Sequence, residues 1–218
     1  MTQSIVLDHR RLIAQCASEY DTMAHSLLSR LKALHEQGPA LNPGSLIDFG
    51  WSLLQIQAHP QHWVVCEPAY DSDPITWRPE VNETLWVMQQ QATLLAELNL
   101  VSGQRTRGDQ WLWLQPDALT APDVYLNRSE PSHAQDSGWY IRADTTTNQK
   151  GDSRARAIMA GTLARYKPEW LGVLALPIGC LARFEQNHLT AIFDARQQRI
   201  YSTQAKPIRL HTSETSDE

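Results

Sequence analysis

Apolar side chains at Ile13, Cys16, Tyr20, Met23, Leu27, Leu31 and Leu34 recur every three or four residues, the spacing that draws one stripe along a helix. The stripe predicts a long helix over residues 8–36. Gly38, Pro39 and Pro43 in "QGPALNPGS" end it, because glycine suits a C-cap and proline cannot continue the ladder. The pattern then changes. "LIDFGWSLLQIQ" and "HWVVCEP" are dense in aromatic and branched residues around the turn-like "AHPQ", which predicts two strands in a hairpin. A helical stripe returns in "PEVNETLWVMQQQATLLAELNL" with Leu85, Met88, Ala92, Leu95 and Leu98 on one side. Asn82 or Thr76 is the expected cap.

Beyond the polar loop "VSGQRTRGD" the chain reads as three short strands, "QWLWLQP", "DVYLNRSEP" and "GWYIRAD". A helix is expected over "RARAIMAGTLARY", and Pro168 opens a short helix or turn. "GCLARFEQNHLTAIFDARQQRIYS" alternates around Asn187-His188, a hairpin signal. The polar, acidic tail "TSETSDE" is expected to be disordered. Together these elements predict an α+β chain, with a long N-terminal helix and a small mixed or antiparallel sheet, then a second α+β domain. The expected divisions are an accessory domain over 1–105, a second domain over 106–205 and a tail over 206–218.

Composition narrows the function. A formal charge of −5 over 218 residues lacks the basic stripe a nucleic-acid binder needs and suits a basic protein partner. No run approaches the roughly 20 apolar residues of a membrane span, and two arginines interrupt the N-terminal segment where a signal peptide would be apolar. Cys16, Cys66 and Cys180 are odd in number and far apart, as expected for reduced, buried thiols in a cytoplasmic protein. No cofactor motif is present. His59 and His62 bracket Pro60, which forbids the helical pair that zinc sites favour, so no metal is expected.

The candidate chemistry centres on "EPSHAQDSGWYIRA". Asp136 and Ser137 would make half of a hydrolytic site, but neighbours on an extended segment point to opposite faces, and no base is marked for the serine. The alternative is structural. Asp and Ser side chains bond nearby backbone amides and Gly138 takes positive φ, so "DSG" closes a turn that aims Trp139 inward. Arg128 and Glu130, two residues apart, share a strand face and can form a charged network with Asp136. Of the tryptophans at 51, 63, 77, 86, 111, 113, 139 and 170, most belong in a core, and one or two at the surface suit a protein-binding face.

The order of short motifs in the second half resembles the immunity protein 33 family. The correspondence runs through Tyr125, Arg128, Glu130 and Pro131, then Asp136, Ser137, Gly138 and Trp139, then Pro177, Gly179, Arg183, Phe184 and Glu185, over residues 108–203. The resemblance implies a non-enzymatic bacterial immunity protein that binds and neutralises a cognate secreted antibacterial toxin in the cytoplasm. A nuclease or an ADP-ribosyltransferase would fit as the toxin; neither nucleic acid nor membrane is an expected partner. Acidic and aromatic residues nominate the contact surface: Glu67, Tyr70, Asp71, Asp73 and Trp77 in one segment, Asp144 and Asp152 in another. The competing readings are a small hydrolase reversing a toxin's modification, using Asp136 with Arg128 or Glu130, and an adaptor or chaperone for an effector.

Overall fold

The computed structural model describes residues 1–101, 103–144 and 154–203. It is α+β, with two sheets that follow one another along the chain. The first opens with a hairpin, β1 (Thr2–Leu7) and β2 (Arg10–Gln15). A 3-10 turn, Ser18–Tyr20, leads into α1 (Asp21–Gln37). Then come β3 (Leu46–Phe49), β4 (Ser52–Ala58), β5 (Trp63–Ala69) and β6 (Thr76–Arg78). The strands lie in the order β1-β2-β5-β4-β3, with β6 also on β5. All pairs are antiparallel except β2 with β5.

The expected helix over 8–36 therefore begins only after a hairpin. Asp8 and His9 both hold positive φ (41° and 69°), the conformation of a tight two-residue hairpin turn. Leu12 and Ala14 face the main core, while Ile13 faces a small cluster with Val64 and Cys66 on the other side of the sheet. The stripe joined residues of two opposite faces, and its last member, Leu34, is 42% exposed. The "LIDFGWSLLQIQ" run is two strands, because Gly50 at φ 62° turns the chain between them. The β4–β5 hairpin forms as expected.

Helix α2 (Asn82–Glu97) follows. Neither Asn82 nor Thr76 caps it: Asn82 accepts the Ala17 amide instead, at 2.7 Å. The cap comes from the sheet. Glu67 on β5 accepts the amides of Glu83 (3.1 Å) and Thr84 (2.8 Å), two of the donors a helix start leaves unpaired. The first turn of α2, with Val81 and Leu85 beside it, packs in the first core; Val87, Leu94 and Leu95 belong to the second.

The second sheet contains β7 (Trp111–Leu114), β8 (Val124–Arg128), β9 (Asp136–Ala143), β10 (Arg156–Met159), β11 (Leu181–Glu185), β12 (His188–Phe193) and β13 (Arg199–Ser202). Their order is β10-β7-β9-β8-β11-β12-β13. α2 and the 3-10 segment Pro168–Ala175 pack on one another in its core. The helix expected from Arg154 to Tyr166 is split into β10, a 3-10 turn (Ala160–Thr162) and one turn of helix, α3 (Leu163–Tyr166). Four-residue pairing of β10 with β7 overrides the helix-forming composition of the segment. The β11–β12 turn sits one residue earlier than expected, at Gln186-Asn187, both at positive φ. The expected tail lies outside the described residues.

One ring joins the two halves. Tyr70 lies edge-on to Trp51, and its ring occupies the space where a Cβ on Gly108 or Gly161 would stand. Those glycines are fixed by the bonds Gly108 N–H to Trp51 O (2.7 Å) and Gly161 N–H to Gly108 O (2.8 Å).

Candidate partner-binding face

The "DSGW" segment opens strand β9 instead of closing a turn, and its chemistry is local. A step of two residues along β7, from Trp111 to Trp113, matches a step of four along β9, from Asp136 to Tyr140, so β9 bulges there. Asp136 holds the bulge: Oδ2 accepts the Ser132 amide (2.8 Å) and hydroxyl (2.7 Å), and Oδ1 accepts the Gly138 amide (2.9 Å). Burial raises the carboxyl's pKa, but these bonds and nearby His133 outweigh it and leave the pKa below its ordinary value. Ser137 donates its hydroxyl to Trp111 O at 2.7 Å. Gly138 sits at φ 76°, where a Cβ would overlap the Ser129 carbonyl oxygen. Trp139 is buried and donates its indole N–H to Thr106 Oγ1 at 3.0 Å.

Arg128 does not join Asp136 or the exposed Glu130. It is buried, lies over the Trp139 ring at 5.8 Å, and donates to the carbonyls of Leu176 and Gln104. Burial pulls its pKa down. The β8 backbone at Arg128 bonds on both sides of Pro177–Cys180, to Cys180 O (3.0 Å) and from Gly179 N–H (2.8 Å). Gly179, at φ 88°, has no room for a Cβ against Ala195. Buried Arg128 and Trp139 thus form one joint with half-buried Pro177 and Gly179, flanked by half-buried Pro131. Phe184 packs nearby on Trp170. Tyr125, on the opposite face of β8, donates to Asp144 (3.0 Å) and lies under Arg142 and Arg183; Arg183 pairs with Glu185 at 2.8 Å.

Seven residues were nominated for contact, and the fold separates them. Glu67 and Tyr70 are buried, the first because it caps α2 and the second because it wedges between two glycines, although Tyr70 also lines the apolar groove beside Asp73. Half-buried Trp77 packs on Ile13, Val64 and Cys66. Asp144 is half-buried with Tyr125, and Asp152 lies outside the described residues. Asp71 and Asp73 are exposed.

Asp73 faces the feature the nominations missed. Leu112 and Leu114 of β7 point into the core, so Trp111 and Trp113 point out, 39% and 48% exposed. Cross-strand pairing continues this outer face from Trp113 to Tyr140, Asn127, Leu181 and Phe193. At the Trp111 edge an apolar groove of about 710 Å³ runs between the Asp73–Ile75 loop and Ile158, Met159 and Tyr166; Tyr166 is 59% exposed. A smaller hollow of about 290 Å³ is lined by both tryptophans. Large apolar residues on both faces of "WLWL" were the available signal, since a strand covered on one side needs only one apolar set.

Among the described residues no three His, Cys, Asp or Glu side chains are grouped to hold a metal, and no helix is long and apolar enough to cross a membrane. Residues 90–195 match the Imm33-like domain, a match that supports membership of this C-terminal part in the immunity protein 33-like family. The match reaches back into α2, further than the motifs alone marked. No curated protein and no solved structure matches the chain.

Proposed function

We propose that the chain is an immunity protein that neutralises a cognate secreted toxin in the cytoplasm by binding it one to one, covering the toxin's active site or substrate-docking face. The observation that carries this reading is the exposed Trp111–Trp113 face on the very segment that matches the family. Exposed indoles leave large apolar area in water unless a partner covers it, and tryptophan, tyrosine and arginine supply most interface hot spots. Asp71 and Asp73 beside the groove, with the net charge of −5, favour encounter with a basic toxin such as a nuclease.

The test is co-expression with the product of the neighbouring open reading frame, followed by titration of its toxicity or activity in vitro. Binding predicts a complex of fixed stoichiometry and protection that saturates near one copy per toxin. Protection at a small fraction of that ratio would replace occlusion by enzymatic reversal. A stable complex that leaves the toxin fully active would replace it by an adaptor role.

A further inference from the structure

We infer that the hollow bounded by Trp111, Trp113 and Asp136 receives a cationic side chain of the partner, with arginine the best fit. The inference rests on the partner-binding reading above and names the chemistry of one anchor within it. Trp111 and Trp113 supply its aromatic lining, and Ser132, His133, Asp136 and the small Ala157 complete it. Ala157 lies directly across from Trp113 in the β10–β7 pairing, so its methyl leaves the indole face open where a longer side chain would cover it.

The hollow is not merely apolar, because its polar end is a carboxylate. An ionised carboxylate accepts about four hydrogen bonds. Asp136 makes three, two at Oδ2 and one at Oδ1, so Oδ1 keeps an acceptor position. Those bonds also hold the group charged through physiological pH, as its depressed pKa indicates, and fix it in place, so no ordering cost falls on it when a cation arrives. A positive charge is attracted to the face of an indole, and guanidinium both stacks on aromatic rings and pairs with carboxylates. Indole beside a pre-set carboxylate satisfies both preferences, whereas a neutral aliphatic side chain would leave the Asp136 charge unanswered. The motif thereby serves two purposes: Ser137, Gly138 and Trp139 build the strand start, and Asp136 both holds the bulge and lines the outer hollow.

The experiment uses the full chain and two soluble probes of nearly identical shape, N-acetyl-arginine amide and the uncharged N-acetyl-citrulline amide. Indole N–H signals are followed by NMR and assigned by single tryptophan substitutions. The expected result is a saturable shift of the Trp111 and Trp113 signals at millimolar arginine amide, at least tenfold weaker binding of the citrulline amide, and loss of the effect in Trp113→Ala. Trp113 is half exposed, so that variant retains its fold, which its remaining indole spectrum verifies. Equal binding of the two probes, an unchanged response in Trp113→Ala, or no shift of either signal overturns the inference. The toxin titration is read independently, so the anchor can fail while one-to-one neutralisation stands, and the reverse.

Discussion

Glu67 in the first half and Arg128 in the second are the two most deeply buried charged side chains among the described residues, and they are stabilised by opposite means. Glu67, in the first half, is answered by a helix start: two α2 amides donate to its carboxylate, and Arg78 stands 3.8 Å away. Burial still dominates and pushes its pKa up to about 7. Arg128, in the second half, has carbonyl oxygens and the Trp139 face for partners. Guanidinium stays charged even when burial lowers its pKa, so dipoles and a ring are sufficient company. Desolvation of a carboxylate can be relieved by a proton near neutral pH, and desolvation of a guanidinium cannot. The first half should therefore respond to pH where the second responds to substitution.

Arg128→Ala is the change of largest expected effect. It removes a buried side chain beside Trp139 and leaves the carbonyls of Leu176 and Gln104 without these donors. Cavity and orphaned acceptors together should cost about 3 kcal/mol or more, measured by urea unfolding. Arg128→Met keeps the length and restores packing but not the donors, so it should fall between Ala and wild type. Equal stability of Met and wild type would show that the guanidinium's bonds are dispensable and that only its volume matters.

Glu67 gives the next effect, with a definite sign. Its folded-state pKa near 7 lies above the ordinary 4.5, so between those values the folded protein holds a proton that the unfolded chain has lost. Its contribution is fully present below about pH 4.5 and disappears as pH rises through about 7, with a slope of at most about 1.4 kcal/mol per pH unit. Glu83, also raised by burial, acts in the same direction. Denaturation of wild type and Glu67→Gln between pH 5 and 8 checks this: the variant should show a clearly flatter profile. An unchanged profile would assign the pH response elsewhere.

Asp136→Ala should cost about 1–2 kcal/mol, since three hydrogen bonds to the β9 bulge are lost and the Gly138 amide is left inside. This role was legible in the sequence. Asp, Ser and Gly in succession announce local backbone bonding and positive φ, and Trp139 does point inward. The Glu67 cap was not legible, because it joins residues 16 and 17 positions apart through the packing of a helix on a sheet. The β1–β2 hairpin was hidden for a different reason: Ile13, on the far side of β2 from the main core, happens to extend the period of the α1 stripe back into the strand. Pairing of β10 with β7 likewise overruled a segment whose residues favour helix. Local chemistry survives in the sequence, while contacts that depend on which elements pack together do not.

The outward tryptophans were legible in part, since one or two of the eight were expected at the surface but not which ones, and they supply the smallest expected effect on stability. Trp113 is half exposed among the described residues, so Trp113→Ala should change unfolding free energy by less than about 0.5 kcal/mol. Binding separates it from the buried joint behind it. If the face is the contact surface, the same substitution should weaken the toxin complex by about 2 kcal/mol or more, roughly thirtyfold in Kd, as for a central aromatic anchor. Trp111→Ala is the less clean probe, because its backbone carbonyl receives the Ser137 hydroxyl and ties it to the bulge. A variant as stable as wild type that no longer protects would locate function on the outer face. Full protection by Trp113→Ala would move the contact to the groove lined by Asp73 and Tyr166, where charge reversal at Asp73 becomes the decisive substitution.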